Sequence, residues 1–113
     1  MITISHHHRY FLYRGFADMR KGFDGLSGLV CNDMNQDPLS GDLFLFFNRR
    51  SNQIKILQWD RDGFALYNKR LEKGTFELPK NSEILISADV LICILQGIQL
   101  ASVRKRKRYT RAA

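Results

Sequence analysis

The apolar positions change period along the chain, and each change marks an element. Tyr10 to Tyr13 is a short apolar run ended by Arg14-Gly15, the pattern of a first strand. Met19, Phe23, Leu26, Leu29 and Val30 then recur at helical spacing. With Asp18 standing where an N-cap belongs, they predict a helix from about Met19 to Asn32. Gly22, Gly25 and Gly28 lie inside it, each costing about 1 kcal/mol relative to alanine. On a helical wheel Gly22 falls within the apolar stripe, and Gly25 and Gly28 lie along one shoulder. Glycines so placed predict close packing by a neighbouring element, or close approach by a ligand or partner.

Asp37-Pro38-Leu39-Ser40-Gly41-Asp42 has the composition of a loop. Three strands follow. Leu43 to Phe47 is apolar without interruption, so it belongs at the centre of a sheet covered on both faces. Ile54 to Trp59 comes after a polar turn at Asn48 to Asn52. Phe64 to Leu71 comes after Asp60-Arg61-Asp62-Gly63, whose Asp-Gly pair signals a hairpin. Gly74 breaks the chain before a fourth run, Thr75 to Leu78, stopped by Pro79, and Ile84 to Ile86 has the look of a short strand. Ser87 caps a last helix, Ala88 to about Leu100, which is apolar nearly all round and therefore expected to be buried on most of its surface. Helix, antiparallel meander and helix together predict an α+β fold. With 113 residues there is room for one domain, expected over residues 1–103.

Charge changes the picture at the C-terminus. Eighteen Lys and Arg against eleven Asp and Glu give a net charge of +7. Residues 1–40 are balanced, whereas Arg104-Lys105-Arg106-Lys107-Arg108 and Arg111 form a dense run in residues 104–113, with no apolar periodicity to fold it. Such a run is expected to be a disordered basic tail. The balance favours a polyanionic partner, nucleic acid before acidic membrane. The longest apolar stretch, Val90 to Leu95, is too short to span a bilayer, and no secretory signal opens the chain, so a cytoplasmic protein is expected, with the nucleoid as an optional site.

Candidate chemistry is sparse. Cys31 and Cys93 read as small buried hydrophobes, and His6-His7-His8 as a solvated stretch. Asp18, Asp24, Asp37, Asp42, Asp60 and Asp62 would have to converge to hold catalytic metals, and each is explained as a cap, loop or turn residue. No nucleophile has a paired base and no phosphate-cradling glycine loop is present, so neither an enzyme nor a cofactor nor a metal is expected. Basic and aromatic residues interleave in the meander instead. Arg49 and Arg50 occupy a polar turn whose amides are also able to reach phosphates. Lys55, Trp59, Tyr67 and Lys69 would make a basic-aromatic sheet surface if the Ile54 face is the core; the alternative places Trp59 and Tyr67 in the core under the second helix.

Several blocks carry a family resemblance. Asp18-Met19-Arg20-Lys21-Gly22-Phe23-Asp24-Gly25-Leu26 and Asp37-Pro38-Leu39-Ser40-Gly41 are followed in order by Asn48-Arg49-Arg50, by Lys55-Ile56-Leu57-Gln58-Trp59-Asp60-Arg61-Asp62-Gly63-Phe64, and by Lys69-Arg70-Leu71-Glu72-Lys73-Gly74-Thr75-Phe76. Together they resemble the Orf2-like, TnpB-type accessory proteins of IS66-type bacterial insertion sequences. The resemblance implies a small protein that supports transposition beside a transposase, and it supplies no catalytic residues. On this reading Arg20, Lys21, Arg49, Arg50, Lys55, Trp59, Lys69, Arg70 and the Arg104–Arg108 run are the expected DNA contacts, at element ends or on non-specific duplex. Asp18, Gly22, Gly25 and Gly28 are the expected docking surface for the transposase, and that docking alone is the alternative function.

Overall fold

The computed structural model describes residues 3–97. Leu43–Phe47 forms β2, the middle strand of a five-stranded sheet, and its unbroken apolar sequence is explained by burial of all five residues. Alternate side chains feed two separate cores. Leu43, Leu45 and Phe47 join Tyr10, Leu12, Ile54 and Ile56 on one face, while Phe44 and Phe46 join Phe11 and Leu57 on the other. Each fully buried Leu, Ile or Phe contributes about 2 kcal/mol.

β1 (Tyr10–Leu12) lies beside β2, β3 (Gln53–Asp60) on its other side, β4 (Gly63–Arg70) outside β3, and β5 (Leu85–Ile86) outside β1. The meander β2–β3–β4 is antiparallel as expected, but β1 runs parallel to β2, so the sheet is mixed. Thr75 to Leu78 is not a strand. That segment covers a face of the sheet, with Phe76 buried and its amide donating to the Ser51 carbonyl at 2.7 Å. The fold is α+β, with one helix against each sheet face.

α1 is Phe23–Asn32, shorter than the periodicity predicts, and Leu26 and Val30 bury its stripe against Phe44, Phe46 and Leu57. Its N-cap is Gly22, not Asp18. The reason lies in the carbonyls of Met19 and Lys21, which accept hydrogen bonds from Lys55 Nζ at 2.8 and 2.9 Å. Carbonyls turned sideways to a lysine are not aligned to continue a helix, so residues 18–21 form a turn instead. No element packs on the glycine shoulder: a methyl built on Gly22 or Gly28 would meet nothing within 4 Å, and on Gly25 only the Lys21 side chain, at 3.1 Å. Cys31 is exposed rather than buried, one position past Val30 and turned outward, and Cys93 is half-buried.

α2 is Ala88–Gln96, capped by Ser87, whose hydroxyl accepts the Val90 amide at 3.1 Å. It ends at Gly97, in the left-handed region at φ 74°, where a residue without Cβ is favoured. Only Ala88, Leu91 and Ile94 are fully covered along it, a narrower stripe than its composition predicts. The tail Arg104, Lys105, Arg106, Lys107 and Arg108, like Leu100, lies outside the described residues.

Candidate nucleic-acid interface

The β2–β3 turn is built to present two arginines. Asn48 Oδ1 accepts the amides of Asn52 and Gln53 at 3.0 and 3.1 Å, and its Nδ2 donates to Asn52 Oδ1 at 2.6 Å. These amide side chains are therefore engaged within the turn rather than offered to phosphates. Arg49 and Arg50 stand exposed at its tip, and Ser51 takes a left-handed φ of 55° to close it. The Asn52 carbonyl receives the Leu71 amide at 2.7 Å, which ties the Lys69–Lys73 segment to the same end of the sheet.

On the other side of the turn, the Ala17 amide donates to the Phe47 carbonyl at 2.9 Å, and Lys55 fastens residues 19 and 21. Arg20, Lys21, Arg49, Arg50, Lys69, Arg70 and Lys73 are thus gathered at one end of the strands. Two are neutralised locally. Arg20 makes a two-pronged contact with Asp18, at 3.0 and 2.7 Å, and Arg70 lies 3.7 Å from Glu72. Among the described residues Lys21, Arg49, Arg50, Lys69 and Lys73 form no salt bridge, although the Lys21 charge is felt by Asp18. The opposite end holds Asp37, Asp42, Asp60 and Asp62, with Asp42 clasped by Arg9 at 2.8 Å and by the Ser40 hydroxyl. The charge is polarised along the strands.

Two expected contacts are placed differently. Lys55 is 7% exposed, and its ammonium is spent on backbone carbonyls. Trp59 packs edge-to-face on Phe64, ring centroids 5.1 Å apart, beside the Asp60–Gly63 hairpin and about 20 Å along β3 from the arginine turn. Nor do Lys55, Trp59, Tyr67 and Lys69 share a face. The hairpin register sets Ile56 opposite Tyr67 and Ile54 opposite Lys69, so the latter two stand on the Ile54 face, and Tyr67 packs against that core. Lys69 and Arg70 still reach the basic end through their exposed ends.

Sequence reasoning missed Phe16 and Phe23. Both rings are half-exposed at this end, and the Arg49 guanidinium lies 5.2 Å from the Phe16 ring centroid. Their signal was present in the paired arginines and the segment leading into α1, but nothing local showed that residues 16 and 49 meet.

Hydrogen bonds from Arg20, side chain first and backbone second, hold the Asp18 carboxyl down at about 2. A carboxyl NMR titration of the folded protein is expected to show a midpoint near 2, rising towards the ordinary 3.8 in Arg20→Ala. Because the folded value is depressed, the pairing supports the fold above the ordinary value and fades as pH falls towards 2. A midpoint near 3.8 in the unaltered protein would show the pair to be open.

No three His, Cys, Asp or Glu side chains come together as metal ligands among the described residues, and no helix there is long and apolar enough to cross a membrane. Fold and charge define a small single-sheet domain with one strongly cationic end. The chain belongs to the IS66 Orf2-like family, whose model matches residues 8–105, and so stands among the accessory proteins of insertion sequences. It is 32% identical over 101 residues to the uncharacterized protein y4jC of Sinorhizobium fredii, covering 86% of each chain. It is 36% identical over 92 residues to the uncharacterized protein y4hO of the same organism, covering 80% of each. No solved structure matches the chain.

Proposed function

We propose that this accessory protein acts without catalysis, binding DNA through the cationic end of its sheet during transposition of its element, in contact with the transposase. The observation that carries the reading is the group of five cations without a salt bridge, Lys21, Arg49, Arg50, Lys69 and Lys73, at an end of the sheet where Asp18 and Glu72 are engaged by Arg20 and Arg70, while Asp42, Asp60 and Asp62 lie at the far end. Cations left without a salt bridge attract phosphates, and about five such contacts would give a salt slope near −4.5 on duplex DNA. The Arg104–Arg108 run would add to that attraction without setting a sequence preference.

The test is fluorescence anisotropy of the full chain on element-end duplex and a scrambled duplex across a salt series. Binding with a steep salt slope is expected, and tighter binding to the end sequence would add specific recognition. Absence of binding at low salt would leave the second reading, docking on the transposase alone. In its favour, Gly22 at the N-cap of α1 and Gly28 within it both face open space.

A further inference from the structure

Four large apolar side chains stand about half-exposed among the described residues: Phe16 at 51%, Phe23 at 49%, Leu39 and Leu85. The two aromatic ones are both at the cationic end. Phe16 precedes Ala17, whose amide is bonded to Phe47 at the end of β2. Phe23 opens α1 two residues after Lys21, whose carbonyl Lys55 holds. Both rings are therefore mounted on backbone that is fixed to the sheet, with the Arg49 guanidinium over Phe16 and Lys21 two residues before Phe23.

We propose that Phe16 and Phe23 stack unpaired bases, so that the preferred ligand of the cationic end is single-stranded rather than duplex DNA. The inference rests on the DNA-binding reading above and deepens it. Cations alone serve a duplex well, since its backbone is the accessible part, and its stacked bases offer no face to a protein ring. A single strand exposes base faces and phosphates together. Rings interleaved with cations match both features. Arg49 over one face of Phe16 forms a cation–ring pair, so a base would stack on the ring's other face with the guanidinium close by for its phosphate.

The experiment compares labelled oligothymidylate with a mixed-sequence duplex, using the full chain, Phe16→Ala, Phe23→Ala and Phe16→Trp, with melting temperatures checking the fold. Oligothymidylate is expected to bind more tightly than duplex. Each alanine variant is expected to weaken it about fivefold or more, leaving the duplex affinity nearly unchanged. Phe16→Trp is expected to keep the affinity, with the added indole quenched by oligothymidylate, while the native Trp59 signal at the far end of β3 stays constant. Duplex bound as tightly as oligothymidylate, or alanine variants with unchanged single-strand affinity, would overturn the inference alone and leave the rings for a protein partner. Binding to neither form at low salt would overturn the DNA reading as well.

Discussion

Lys55→Met is expected to destabilise the fold by about 2–3 kcal/mol, lowering Tm by roughly 10–15 °C. Lys55 is buried, and its Nζ satisfies two carbonyls of the segment between β1 and α1. Methionine keeps most of the apolar stem, so the loss isolates the two charge-assisted hydrogen bonds and the carbonyls left without them. The exposed Lys69→Ala serves as the comparison and is expected to stay within about 0.5 kcal/mol. Differential scanning calorimetry of both variants decides the matter. A Lys55→Met protein as stable as the original would mean that the clamp holds nothing.

Charge reversal at the arginine turn has the largest expected effect on binding. Arg49→Glu with Arg50→Glu removes two phosphate contacts and installs two repulsive ones, so duplex affinity is expected to fall on the order of 100-fold at low salt. The salt slope should flatten by about 1.8. Both residues are exposed on a turn whose shape Asn48 and Asn52 maintain, so the fold is expected to survive. Truncation after Val103 supplies the contrast. Loss of the tail should lower affinity for every sequence alike and still leave the slope contributed by the sheet end. If truncation abolishes binding and the double reversal leaves it intact, the tail carries the function and the sheet end does not.

Much of this scaffold was legible in the sequence. An unbroken Leu-Phe-Leu-Phe-Phe run has one comfortable place, the centre of a sheet covered on both faces, and β2 occupies it. Ser87 stands as the N-cap of α2. What escaped depends on register and distance. The hairpin turns on Arg61 and Asp62, with Arg61 at a left-handed φ of 58°, rather than on the Asp-Gly pair itself. That register pairs odd positions of β3 with even positions of β4, as a turn on the Asp-Gly pair would also do, so Tyr67 and Lys69 stand with Ile54 and Ile56. A surface joining Tyr67 and Lys69 to Lys55 and Trp59 fails on this parity, and the alternative, Tyr67 as a core residue, is the arrangement observed. Lys55 alternates correctly with Ile54 and Ile56, but periodicity does not reveal that two carbonyls 34 and 36 residues earlier await its ammonium. The same two hydrogen bonds hold residues 19 and 21 out of α1, so one long-range lysine accounts for both departures. The parallel pairing of β1 with β2 follows from a connection of about thirty residues that contains a helix, the length a crossover needs.

The measurement that bears most directly on the cationic end is NMR chemical-shift mapping of the isotope-labelled protein as DNA is added at low salt. The account predicts shifts concentrated in the amides of residues 16–23, 48–52 and 69–73, with the Asp60–Gly63 hairpin and the residues around Asp42 unmoved. Shifts centred on that hairpin, or confined to residues beyond Gly97, would contradict it.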